Sequence, residues 1–243
     1  TKVDVAFDEL VDAITSDRIL YAPGYTIDGD GDGTDERHPE ELRAEAASVA
    51  AAADTVVCFL GLPGSYESEG FDRTHIDLPP EQLVLLDAVL DANARVVVVL
   101  VNGSTVAMEP WCDRVPAILE CWLGGQAAGG AIADVLTGAA EPGGRLAETV
   151  PVRLTDIPST LNFPGDPGVV RYGEGIFVGY RAHDRLDQRV SFPFGHGQSY
   201  TTFDLTDLEV VVSGAVNDEA GQLSAAVSVT VTNTGSGGWP MTI

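Results

Sequence analysis

The sequence predicts an α/β fold, a mostly parallel sheet with helices on both faces (an α/β sandwich), followed by a truncated β-sandwich segment. Three observations predict it. Between residues 7 and about 152, short apolar runs alternate with longer helical stretches, the pattern of strand–helix units that assemble into parallel sheets. The run Val96-Val97-Val98-Val99-Leu100-Val101 has no polar alternation, as expected of a parallel strand covered on both faces. Past Phe203 the period changes to two: Val227-Ser228-Val229-Thr230-Val231-Thr232-Asn233 alternates like a sandwich strand with one buried face.

In chain order, residues 18–21 read as a short strand and residues 40–53 as a helix rich in alanine and glutamate. Residues 55–61 are short, apolar, rich in β-formers and ended by glycine, hence a buried strand. Pro79-Pro80-Glu81-Gln82 opens an amphipathic helix over 80–92, with proline where the first turn tolerates it. A strand over 95–101, a helical segment over 105–113, a strand over 117–122 and a helix over 126–136 complete this part. The organisation expected is an α/β sandwich over 1–150, its first strand missing ahead of Thr1. An irregular wrapping segment rich in proline, glycine and aromatics follows over 151–203, and a truncated β-sandwich over 204–243 with strands at 205–212 and 223–232.

Composition narrows the partners. With 243 residues and 44% hydrophobic side chains, the chain can bury one large core. Its net charge of -24, from 37 acidic against 13 basic residues, repels both nucleic acid and anionic lipid, so neither is expected as a partner. Adaptation to high salt and the ordinary acidic surface of a GC-rich genome both account for this charge. No apolar stretch reaches the roughly 20 residues a membrane span needs. Cys58, Cys112 and Cys121 show no metal spacing and indicate no compartment; Cys58, in an apolar strand, reads as a small buried hydrophobe.

The charged stretch Glu67-Ser68-Glu69-Gly70-Phe71-Asp72-Arg73-Thr74-His75-Ile76-Asp77-Leu78 lies between a strand and a helix, at the carboxyl edge of the sheet where open α/β folds bind ligands. Glu67 and Glu69 are candidate proton donors, although local sequence alone favours solvated loop acids. Asp72 and Arg73 read as an ion pair fixing the loop. Asp28-Gly29-Asp30-Gly31-Asp32-Gly33 copies the first half of a calcium loop, but the twelfth position is Pro39 instead of glutamate, so a polar turn is the preferred reading of Asp28, Asp30 and Asp32. Gly124-Gly125-Gln126 and Gly129-Gly130 lack the lysine of a phosphate loop and suggest close helix–strand packing. The four histidines show no ligand spacing, and no Gly-x-Ser-x-Gly elbow is present.

A longer set of motifs is shared with a known family. The run Gly64-Ser65-Tyr66-Glu67-Ser68-Glu69-Gly70-Phe71-Asp72-Arg73, with Asp77-Leu78-Pro79 and Gln82, resembles the acid/base loop of family-three glycoside hydrolases, the β-glucosidases and relatives. The resemblance continues, in family order, through Val101-Asn102-Gly103-Ser104, Trp122-Leu123-Gly124-Gly125-Gln126, Pro142-Gly143-Gly144-Arg145-Leu146 and Phe192-Pro193-Phe194-Gly195-His196-Gly197. It implies an α/β sandwich that carries the acid/base and a fibronectin type III-like domain over 204–243. It further implies Glu69 as general acid/base with Glu67 as fallback, and Tyr66, Phe71, Asp72 and Arg73 as substrate-binding or loop-fixing residues. The implied ligand is a β-glucoside or short β-glucan oligosaccharide, with no cofactor. The family's aspartate nucleophile sits on an amino-terminal barrel, and nothing in this sequence matches its motif. The expectation is therefore the carboxy-terminal portion of a retaining β-glucosidase, catalytically incomplete alone. The competing expectation is a non-catalytic module that binds carbohydrate or a partner, which would have no need of an acid at Glu69.

Overall fold

Three parallel strands organise the fold. The structure is a computed structural model and describes residues 3–14, 18–27, 37–214 and 223–235. Strands β1 (Val56–Gly61), β2 (Val96–Val101) and β3 (Ala117–Glu120) lie in the order β1-β2-β3. Val56 pairs with Val96, Gly61 with Val101 and Leu100 with Glu120, so the carboxyl ends of all three reach the same edge. Val96, Val98, Val99 and Leu100 of the central strand are fully buried. Burial on both faces is the physical reason β2 lacks polar alternation.

The helices follow from their apolar stripes. Helix α2 (Pro39–Ala52) begins at a proline and buries Leu42, Ala46 and Ala50, four residues apart along one face. Helix α3 (Pro80–Ala92) buries Gln82, Leu85, Leu86 and Val89. Ala46, Ala50, Leu85, Leu86 and Val89 join Cys58, Leu60, Val98, Leu100, Val106, Met108 and Trp111 in one core. Each fully buried leucine there contributes about 1.5–3 kcal/mol by burial alone. Asn93, just past α3, donates to the carbonyls of Ala50 and Ala53 at 2.9 and 2.8 Å, satisfying acceptors that the end of α2 leaves open.

Several expectations are corrected. Residues 18–21 are not a strand; Leu20 and Tyr21 are exposed and no neighbouring strand is placed to pair with them. Helix α1 (Ala6–Ala13), which the sequence pattern did not suggest, packs against α4 (Ala128–Thr137). A Cβ at Gly129 would lie 2.7 Å from the backbone of Asp4, and the Asp4 amide donates to the Gln126 carbonyl at 2.9 Å. Gly129 therefore serves close packing, as expected, but against the segment leading into α1 rather than a strand. Residues 105–108 are buried and irregular instead of helical, and the Ala107 amide donates to the Ile76 carbonyl at 2.7 Å. Only Trp111–Arg114 forms a helical turn there. Strand β3 stops at Glu120, and Trp122 takes a left-handed φ of 49°.

Past Pro151 the chain is irregular, as its composition suggested. Strands β4 (Val150–Pro151) and β5 (Val190–Phe192) pair antiparallel, with helix α5 (Tyr180–Leu186) and short turns between them. Strands β6 (Phe203–Ser213) and β7 (Ser224–Asn233) form an antiparallel pair. The expected buried face of β7 is absent: Val227 and Val229 are both exposed. Among the described residues these two strands form a single layer with no facing sheet to cover either side. Tyr200, just before the pair, donates its hydroxyl to the Val135 carbonyl at the end of α4 at 2.8 Å. The calcium-like run with Asp28, Asp30 and Asp32 lies outside the described residues.

Candidate active site

The loop joining β1 to α3 leaves the sheet edge at Gly61 and returns at Pro79. Its base is fixed at both ends. On the outgoing side, buried Gln82 donates to the Gly61 carbonyl at 2.9 Å and accepts from the Gly61 amide at 3.0 Å. On the returning side, Ile76 and Leu78 are buried in the core. Between them the Tyr66 and Glu67 amides turn back on the Pro63 carbonyl.

Glu67 points at the neighbouring loop that follows β2. Its Oε2 accepts the Gly103 amide at 2.6 Å and its Oε1 accepts the Ser104 hydroxyl at 2.5 Å. Arg73 reaches the same place, donating from Nη1 to Ser104 Oγ at 2.9 Å and to the Thr105 carbonyl at 3.1 Å. Burial draws the Arg73 guanidinium below its usual pKa, while the charges of Glu67 and Asp77 act in the opposite sense. The expected Asp72–Arg73 ion pair does not form. Arg73 spends its contacts on residues 104 and 105, and Asp72 is exposed.

Glu69 stands at the exposed tip and has no hydrogen bond or ion pair among the described residues. On the same loop Tyr66, Phe71, Asp72 and Arg73, with Ser65, Thr74 and His75, line a shallow pocket of about 190 Å³ that Glu69 itself does not line. Tyr66 packs edge-on against His75, ring centroids 5.7 Å apart, and Phe71 is half exposed. Four of the six sequence-picked residues, Tyr66, Phe71, Asp72 and Arg73, share this pocket, while Glu67 is turned toward Gly103 and Ser104 and Glu69 is exposed. Among the described residues, no group of three or more His, Cys, Asp or Glu side chains forms a metal site.

Sequence reasoning missed the floor beneath the loop. Asn102, fully buried, donates to the Ser104 carbonyl at 3.0 Å and lies 3.5 Å from Glu120 Oε2, while Glu120 Oε1 accepts the Trp122 amide at 3.0 Å. Burial pushes the Glu120 carboxyl up from 4.5 to about 7, and the nearby Glu148 adds to it. Glu148 is itself raised by burial, against the Thr105 amide that holds it down. The signal for this floor was available: residues 102–105 and 120–122 also follow strand carboxyl ends, where the same rule that singled out residues 67–78 applies.

Comparisons with known proteins place the chain in a family. The sequence profile of the glycosyl hydrolase family 3 C-terminal domain matches residues 3–200. Thermostable beta-glucosidase B of Acetivibrio thermocellus is 49% identical over 212 residues, 86% of this chain and 27% of that protein. An exo-alpha-(1->6)-L-arabinopyranosidase of Bifidobacterium longum is 46% identical over 214 residues, 88% of this chain and 27% of that protein. The crystal structure of the Bifidobacterium adolescentis GH3 beta-glucosidase superposes with a TM-score of 0.85 at 45% identity, covering 97% of this chain and 33% of that one. This chain spans 27% of the length of those two sequence relatives. Its strand order, its loop at the sheet's carboxyl edge and these matches agree: the chain belongs to glycosyl hydrolase family 3, to the family's C-terminal domain.

Proposed function

We propose that the chain supplies the general acid/base of a retaining β-glucosidase, with Glu69 in that role and β-glucosides or short β-glucan oligosaccharides as substrates. The observation that carries the reading is the contrast within one loop. Glu67 and Arg73 are occupied in fixing the loop, while Glu69 is held at the exposed tip with no internal partner. An acid that must reach a substrate oxygen has to be free of competing partners and carried on a defined support.

In the first step the Glu69 carboxyl gives its proton to the glycosidic oxygen as the carbon–oxygen bond breaks and a second carboxylate attacks the sugar. In the second step the Glu69 carboxylate takes a proton from the water that displaces the enzyme from the sugar. Retention requires that second carboxylate about 5–5.5 Å away. The aspartate of the family's amino-terminal barrel fills that role. Phe71 and Tyr66 offer the pocket apolar ring surface for the substrate. The leaving oxygen lies outside the sugar being released, so the same loop suits relatives named for a β-glucosidase and for an arabinopyranosidase.

Two measurements test this. The chain alone should not release nitrophenol from an aryl β-glucoside, since a covalent nucleophile is missing. In the whole enzyme, joined to the nucleophile-bearing barrel, Glu69→Ala should lower kcat/KM for cellobiose by about 10²–10⁴-fold and for dinitrophenyl glucoside far less, with azide restoring the slowed second step on the latter. Enzyme-like turnover by the chain alone that depends on Glu69, or near-normal cellobiose hydrolysis by Glu69→Ala, overturns the proposal.

A further inference from the structure

Glu67 and Arg73 flank the tip that carries Glu69, and both hold the same three residues after β2. Glu67 takes the Gly103 amide and the Ser104 hydroxyl; Arg73 takes the Ser104 oxygen and the Thr105 carbonyl. Ser104 Oγ is the shared point, donating to Glu67 and accepting from Arg73. Residues 68–72 between the two anchors are all exposed and are fixed in space only through them. We infer that Glu67 is a positioning residue for Glu69, clamping the loop onto the Gly103-Ser104 backbone so that the Glu69 carboxyl is held at the leaving oxygen.

The inference rests on the assignment of Glu69 as acid/base. It gives Glu67 a role of its own instead of that of a substitute acid. Both carboxylate oxygens accept short bonds, and such charge-assisted contacts are stronger than neutral ones. A Cβ at Gly103 would lie 2.9 Å from Glu67 Oε2 and 3.0 Å from Leu123 Cδ1, so a glycine there leaves the room the carboxylate occupies. A segment of five residues held at both ends has few conformations. Released at one end, it carries Glu69 away from a bond whose cleavage needs placement to within about an ångström.

The test separates positioning from plain loop stability. In the whole enzyme, Glu67→Ala should lower kcat/KM for cellobiose by about 10²-fold, the typical cost of a misplacement of that size. The kcat/KM of dinitrophenyl glucoside, whose bond cleavage needs little protonation, should change only slightly, while its kcat falls because Glu69 also serves the water step. Glu67→Gln, which keeps an acceptor for Gly103, should recover much of the loss. Gly103→Ala, which crowds the same carboxylate from the other side, should reproduce the selective defect if Glu67→Ala fails to fold. In a Glu69→Ala background, Glu67→Ala should cause no further loss, because groups acting through one another are not additive. Equal loss of kcat/KM on both substrates, or losses that add to those of Glu69→Ala, overturn the inference. If Glu69→Ala alone leaves cellobiose hydrolysis intact, it is the acid/base assignment that has failed, whatever Glu67 does.

Discussion

Replacing Glu120 by glutamine should make the fold more stable at neutral pH and leave it unchanged in acid. The Glu120 carboxyl is raised from 4.5 to about 7, chiefly because burial penalises its charged form. The sign follows from linkage. Below the unfolded value both states hold the proton and the group costs nothing. Between 4.5 and about 7 the unfolded state ionises first, so stability falls as pH rises. Above about 7 the folded state must hold an ionised carboxylate beside Glu148, and the penalty is complete. A shift of this size corresponds to about 3 kcal/mol. Glutamine has nearly the same shape and keeps an oxygen for the Trp122 amide; its amide nitrogen replaces only the oxygen that takes the long 3.5 Å contact from Asn102, so the charge is the main thing removed. Urea denaturation of wild type and Glu120→Gln should therefore give equal stabilities at about pH 4 and a gain approaching about 3 kcal/mol at about pH 8. A difference that stays flat across this range would refute the reasoning. So would a variant less stable at pH 8, which would mean that the ionised carboxylate's bonds outweigh its desolvation.

Three further outcomes are expected. Gln82→Leu should destabilise the fold by about 2–4 kcal/mol in urea, since both the amide and the carbonyl of Gly61 lose their partner, and a gain in stability would count against this account. Leu86→Ala, at a fully buried core position, should cost about 2–5 kcal/mol, whereas Arg114→Ala should cost less than about 1 kcal/mol because its ion pairs with Asp87 and Asp91 are exposed. Cys58, whose thiol burial pushes up to about 12, should resist a thiol reagent in the native chain and react once it is unfolded; rapid native labelling, assigned to Cys58 by mass spectrometry, would contradict its placement.

Much of this protein could be read from local pattern. The run at 96–101 specifies a strand buried on both faces, because no alternation is left to turn toward water. Pro80 begins α3 where proline suits a helix start. The charged loop at 67–78 was placed by the elements on either side of it, and the sheet's parallel order puts it at the ligand-binding edge. Where tertiary contacts compete with local preference, the pattern misled. The run at 105–113 suggests a helical segment, but the Ala107 amide bonds to the Ile76 carbonyl and only Trp111–Arg114 forms a helical turn. The alternation of β7 suggests a buried face that a single two-stranded layer does not provide.

The family motif sets Glu69 ahead of Glu67, but the contacts each side chain makes depended on folding alone. Glu67 and Glu69 are the same residue type, two positions apart, and nothing local tells their contacts apart. Glu67 meets a backbone amide 36 residues further along the chain, at Gly103, and Glu69 meets nothing. Arg73 likewise passes over its neighbour Asp72 for Ser104 and Thr105, 31 and 32 residues away. The Glu120 carboxyl is raised because β3 ends beneath this loop and buries it beside Asn102 and Glu148. Strand and helix identity follow from periods of two and 3.6 residues, which are written along the chain. Partnership and burial follow from which distant segments are brought within a few ångströms, and only the folded sheet decides that.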